Sequence, residues 1–156
     1  MEKRDSFFYI NLCAFICLIC LTLSFPFNRA FAEAELTGSR LMVYPSYVSG
    51  EKKAGGLTVG LAKLHGDNAW WSGTGIFVGT VARDPGEYHA EIAYGRSFFN
   101  VTAFGGIGAK IVGKEAGFQY SYGLAVGPSA LSVRRYSIKN KKFVEGVISL
   151  VFPIVI

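Results

Sequence analysis

The sequence predicts an all-β chain, an eight-stranded antiparallel up-and-down barrel, and three observations predict it. Apolar residues alternate with small or polar ones at a period of two, and no window beyond residue 32 sustains the 3.6-residue period of an amphipathic helix. All 19 glycines lie beyond residue 32, dispersed among apolar and aromatic residues instead of gathered into a linker. That placement suits β-structure with tight turns and close packing. Seven turn signals divide the same region into eight segments of about ten residues, the length a tilted strand needs to cross a bilayer.

Taken in order, the chain opens on a leader. Met1 to Asp5 is charged, Phe7 to Phe25 is almost wholly apolar, and Asn28-Arg29-Ala30-Phe31-Ala32 has the small-x-small form that a signal peptidase cuts after. Residues 1–32 therefore read as a secretory signal peptide and 33–156 as the mature domain. An uncleaved anchor is the weaker reading, since Pro26 breaks the apolar run and no basic stop-transfer cluster follows. The leader also holds all three cysteines, and Cys17 and Cys20 lack the approach sequence of a lipoprotein cysteine. The mature domain thus has no disulfide available, and its stability must come from another source.

The turns are read at Gly50–Gly55, Gly66–Asn68, Arg83–Gly86, Gly95–Asn100, Gly113–Gly117, Gly127–Ser129 and Lys139–Lys142. Between them the alternation is clearest in Phe118 to Val126. Phe118, Tyr120, Tyr122, Leu124 and Val126 form one face, and Gln119, Ser121, Gly123 and Ala125 the other. Leu57 to Leu61 and Tyr88 to Gly95 repeat the pattern. A soluble barrel turns its apolar face inward, whereas a membrane barrel turns it to lipid and fills its lumen with the other face. Gly, Ser, Thr and Ala suit a narrow crowded interior and make a poor solvent-exposed surface, so the expected fold is a transmembrane barrel.

Aromatic residues flank the turns at both ends, as interfacial girdles would. Trp70, Trp71, Phe98 and Phe99 border the even-numbered turns, and Tyr47, Tyr88, Phe118, Tyr136 and Phe143 the odd ones. Charge sorts by the same parity. The odd turns hold Lys52, Lys53, Arg83, Lys114, Lys139, Lys141 and Lys142, against Arg96 alone at the even turns. With the N-terminus on the periplasmic side the odd turns face outward, where lipopolysaccharide presents phosphates that these cations would neutralise. The mature domain carries a net charge of +4, from 13 Lys/Arg and 9 Asp/Glu once Lys3, Arg4, Arg29, Glu2 and Asp5 leave with the leader. So small an excess points to no nucleic-acid partner.

On this pattern of leader, alternating segments and ringed ends, the chain resembles the small eight-stranded outer-membrane β-barrel proteins of Gram-negative bacteria. The resemblance implies an outer-membrane location and insertion by the outer-membrane assembly machinery. It also implies a terminal strand signal, which Glu145, Val147, Leu150 and Phe152 approximate with valine in place of glycine and four residues past the aromatic.

Chemistry is sparse. His89 and Glu91 share the polar face of one strand and could serve as a general acid/base pair. The favoured reading places them in a lumen polar network with Lys110, Arg134 and Glu145. Gly108 to Lys114 has the spacing of a phosphate-binding loop up to its lysine, but Glu115 replaces the hydroxyl residue that such a loop needs for magnesium. The mature domain has no cysteine and no histidine pair at ligand spacing, so neither a metal site nor a cofactor is expected. Pro45 and Pro153 fall in the first and last strands, which must pair to close the barrel, and each removes a ladder donor. The expected function is a non-enzymatic envelope or surface-interaction role through the basic rim. The competing readings are a soluble secreted or periplasmic lipocalin-like barrel binding a small apolar ligand, and a lipid A-modifying enzyme of the outer membrane.

Overall fold

A computed structural model describes residues 37–66 and 70–156; the leader 1–32, its cleavage site, and Asp67 and Asn68 of the second turn lie outside the described residues. The strands are β1 (Gly38–Ser49), β2 (Ala54–Gly66), β3 (Trp70–Val81), β4 (Glu87–Phe98), β5 (Val101–Val112), β6 (Glu115–Val126), β7 (Ser129–Ile138), β8 (Lys141–Leu150) and β9 (Phe152–Val155). No helix occurs among the described residues. Each strand from β1 to β7 pairs antiparallel with its successor, and β1 returns to pair with both β8 and β9. The pairs Ser46↔Ser149 and Val43↔Phe152 belong to one continuous register. β8 and β9 are therefore a single wall strand interrupted at Val151, and the barrel closes with eight staves.

The period-two sequence builds these strands because alternate side chains must leave opposite faces of the pleat. The apolar face turns outward. Phe118, Tyr120, Tyr122 and Leu124 are 59%, 39%, 46% and 52% exposed, whereas Gln119 and Ser121 between them are buried. The same direction holds for Ile76 and Val78 in β3, for Ile92 and Tyr94 in β4, and for Ile107 and Ile111 in β5.

The ladder registers fix the barrel's girth. Stepping across paired residues from Gly38 leads through Leu64, Gly73, Gly95, Phe104, Gly123, Ser132 and Val147 to Val48, ten residues along from the start. A stagger of that size in eight strands gives a tilt of about 40° and a backbone radius of about 8 Å. Side chains fill an interior so narrow. Lumen-facing glycines make the room: Phe77 lies where Cβ atoms on Gly60 and Gly75 would stand, and Phe104 lies over Gly123.

Two expectations from the sequence need correction. The turns at Gly95–Asn100 and Gly113–Gly117 shrink to two residues each, because Phe99 (φ 53°) and Gly113 (φ 61°) take the left-handed backbone that a tight hairpin needs. Gly95 and Gly117 stay within strands. Trp71, Tyr136 and Phe143 point into the barrel, so the girdles reduce to Tyr47, Tyr88 and Phe118 at the odd-turn end and Trp70, Phe98 and Phe99 at the other. The pleat dictates this, since Trp70 and Trp71 as neighbours cannot share a face. Pro153 lies in the last strand, as expected, and the wall continues past it, with Ile154 and Val155 paired to Leu41 and Arg40.

The prolines mark the seam. Pairing between β1 and the last strand runs from Arg40 to Val43 and from Ser46 to Ser49, and lapses at Tyr44 and Pro45 opposite Leu150 and Val151. Val151 turns its amide instead to the Pro128 carbonyl at 2.7 Å.

Candidate functional site

The lumen is divided by chemistry along its axis. Towards the even turns Met42, Ala62, Leu64 and Phe77 form an apolar cluster, with Tyr44, Trp71, Ala93 and Val151 packed against it. Towards the odd turns an ionic cluster fills the lumen beside a smaller apolar one of Val48, Val81 and Val147. Glu87 opens β4, Lys110 is two residues from the end of β5, and Glu145 lies in the first half of β8, so strands that are distant in sequence deliver charges to one mouth.

Lys110 is fully buried, and its ammonium donates to Glu87 at 2.8 Å and to Glu145 at 2.6 Å. It also lies 4.3 Å above the centre of the Tyr136 ring. Tyr136 stacks on Phe143 at 5.0 Å and donates its hydroxyl to Glu145 at 3.4 Å. Arg83, from the turn after β3, reaches in and donates through Nη1 to Glu87 at 3.1 Å and to Glu145. Burial alone would lower the Arg83 pKa, but hydrogen bonds to Glu145 and Glu87 outweigh it and hold the guanidinium above its ordinary value. Arg134 is buried opposite Glu145 in the β7–β8 register. Taken together, Arg83, Lys110 and Arg134 match Glu87, Glu91 and Glu145 in number, so the buried charge is balanced. Balance is required, because an unmatched ion in such a setting costs several kcal/mol, about 3–5 when one partner is removed.

Of the residues expected in a lumen network, Lys110 and Glu145 are bonded to each other. His89 and Glu91 are not. His89 Nε2 shares a hydrogen bond with Thr58 Oγ1 at 3.0 Å, while Glu91 accepts from Gln119 at 3.1 Å and from Ser121 at 3.0 Å. The two face inward two residues apart, but each is held across the lumen by a strand two places away, His89 by β2 and Glu91 by β6. His89 is also wedged against Gly79, where a Cβ would stand 2.6 Å from its Nε2. A substrate would have to displace these contacts to reach it.

Arg83 requires a correction. It was expected on the solvated rim with Lys52, Lys53, Lys114, Lys139, Lys141 and Lys142, but its side chain is only 7% exposed and belongs to the ion network. Two carboxylates below the rim draw it in. Lys139 is exposed and paired with Glu115, and Lys52, Lys53, Lys114, Lys141 and Lys142 are exposed at the same end. Sequence reading had left out Glu87, Arg83's inward direction, and the roles of Thr58 and Tyr136. Glu87 was recoverable, since it shares parity with His89 and Glu91; Arg83 was not, because no strand alternation governs a turn. Of the stretch with phosphate-loop spacing, Gly108 to Val112 is the end of β5 and Gly113 and Lys114 form the two-residue turn that follows.

The mouth opens onto a depression of about 390 Å3, lined by Lys52, Arg83, Asp84, Tyr136, Lys142 and Phe143 among others. Among the described residues no group of three His, Cys, Asp or Glu could hold a metal ion. Compared with known proteins, the chain matches no family model and no curated relative.

Proposed function

We propose that this chain is a non-enzymatic integral outer-membrane β-barrel, exported by its leader, whose basic rim contacts the phosphates of surrounding lipopolysaccharide. The observation that carries this reading is the inversion of the usual pattern: charges are sealed inside and large apolar side chains stand outside. Tyr88 and Phe98, outward at opposite ends of β4, are ten residues apart, which at about 2.5 Å of axial rise per residue is about 25 Å, the height of the lipid-facing band in such barrels. The outward cations within the strands, Lys63, Arg96, Arg135 and Lys142, all lie within three residues of a strand end, where the cost of facing lipid falls towards zero. Closure around the barrel pairs the backbone of each stave on both sides, as a lipid-exposed sheet requires.

The lipocalin-like reading needs the apolar face inside, and Tyr120, Tyr122 and Leu124 are outside. The enzyme reading needs a reachable His89, and Thr58 and Gly79 enclose it. The membrane reading is tested by fractionating cells and running the outer-membrane fraction unheated and boiled. A folded barrel migrates faster before boiling; recovery of the chain in the soluble periplasmic fraction refutes the proposal.

A further inference from the structure

The basic rim is not evenly compensated around the barrel. Three of the four odd hairpins mix signs, with Glu51 beside Lys52 and Lys53, Asp84 beside Arg83, and Glu115 beside Lys114. The fourth, between β7 and β8, does not: no Asp or Glu stands between Glu115 and Glu145, while Arg134, Arg135, Lys139, Lys141 and Lys142 fall together in that stretch. Arg134 turns into the lumen and Lys139 is paired with Glu115. Arg135 and Lys142 face outward and are exposed, and neither has a carboxylate partner among the described residues. They are diagonal neighbours, since Ser137 pairs with Lys142 and Arg135 with Val144, which places their Cα atoms about 7–8 Å apart. The wall offers them no counter-charge, because the strand glutamates Glu87, Glu91, Glu115 and Glu145 all hold inward positions in the pleat.

Arg135 is also held in position. Its guanidinium is hydrogen-bonded to the hydroxyls of Tyr120 and Tyr122 on β6, Tyr120 being its ladder partner. The two phenols occupy only part of the guanidinium's donors and bring no negative charge. Two neighbouring cations on a lipid-facing wall repel each other until an anion lies between them. Towards the middle of the wall the same face is apolar, with Val133, Leu131 and Ile148 on β7 and β8. A cationic pair above an apolar strip matches an amphiphile. We infer that Arg135, Lys142 and the neighbouring Ser137 hydroxyl bind the phosphate of one anionic lipid of the surrounding leaflet, whose chains lie along that strip. A zwitterionic headgroup brings its own cation to the pair, so the site selects lipids whose phosphate carries the net charge. Arg135 contributes a planar fork and Lys142 a mobile point charge. The site presupposes the membrane reading with its phosphate-contacting rim, and it narrows that rim to one hairpin and to a residue, Arg135, below the turns.

The test follows the Arg135 Nε–H and Ser137 amide signals by nuclear magnetic resonance in the full chain, folded in zwitterionic micelles and titrated with short-chain phosphatidic acid. Both signals are expected to shift saturably, with no such shift from inorganic phosphate or from phosphatidylcholine of the same chain length at the same concentration. Arg135→Gln with Lys142→Gln, read at the Ser137 amide, should weaken binding about tenfold or more. Lys52→Gln with Lys114→Gln removes the same charge from other hairpins and should leave the affinity within about twofold. Equal weakening by the two double variants overturns the hairpin site while the basic rim stands as a diffuse contact. The site is also overturned by the same shift with inorganic phosphate, or by no saturable shift from a chain that migrates as a folded barrel. A chain that does not float with phosphatidylcholine vesicles refutes the membrane reading itself, independently of the titration.

Discussion

Replacing Glu145 by Leu should destabilise the barrel more than any outward substitution, and a second replacement should reverse much of the loss. Glu145 accepts from Lys110 at 2.6 Å, from Tyr136 at 3.4 Å and from Arg83, and it faces Arg134 across the ladder. Without it, three buried cations are left with Glu87 and Glu91, a cost of about 3–5 kcal/mol against a typical domain stability of about 5–15 kcal/mol. Lys110→Met alone leaves Glu87 and Glu145 sharing Arg83, and should cost about as much. In the double variant one charge of each sign is gone, and Arg83 and Glu87 remain paired at 3.1 Å. The double variant is therefore expected to be more stable than the sum of the two single losses by about 2–4 kcal/mol. Urea unfolding in phosphatidylcholine vesicles, followed by the fluorescence of Trp70 and Trp71, measures all four members of the cycle. Additive losses, with a coupling below about 0.5 kcal/mol, would refute the argument that these charges act as one unit.

Three further outcomes are expected. Ile92→Arg places a cation mid-wall on the outward face and should cost about 2–4 kcal/mol in vesicles; in an aqueous protein an exposed change of this kind stays within about 0.5 kcal/mol, so the urea midpoint separates the two environments. Gly60→Ala drives a Cβ into the Phe77 ring and the Ile76 carbonyl, an overpacking cost of about 1–3 kcal/mol, whereas Gly55→Ala, with nothing within 4 Å of the new carbon, should leave the melting temperature nearly unchanged. Amide exchange should be faster along the β1 seam with β8 and β9 than between β4 and β5, because the seam ladder lapses at Tyr44 and Pro45; equal protection in both ladders would contradict the interrupted seam.

What the sequence disclosed and what it withheld follow from the geometry of a sheet. Strand alternation is a local property, so the grouping of Phe118, Tyr120 and Tyr122 on one face and of small residues on the other is legible in the sequence, and its outward direction follows from the small residues suiting a crowded interior. Membership of the ion network depends on stagger, which is a property of the whole circuit. His89 faces Lys110 across the ladder, yet Lys110 is bonded to Glu87 and Glu145. Nothing in a single strand specifies that slant. Turns are over-extended for another reason: glycine marks both a hairpin and a place where a neighbour needs room, and Gly117 does the second, since a Cβ there would run into the Ser137 carbonyl. Arg83 combines both difficulties, being a turn residue whose partners come from β4 and β8.

The closing ladder has a consequence for how the chain must be made. Its outermost pair joins Arg40 to Val155, so the wall cannot be completed until Val155 has been synthesised. Every shorter nascent chain exposes two sheet edges as well as an apolar outer face, the combination most prone to pairing with other chains. Contacts of such long sequence separation also form slowly. Docking of Phe152–Val155 on β1 is therefore the step that removes the last two edges of the sheet at once.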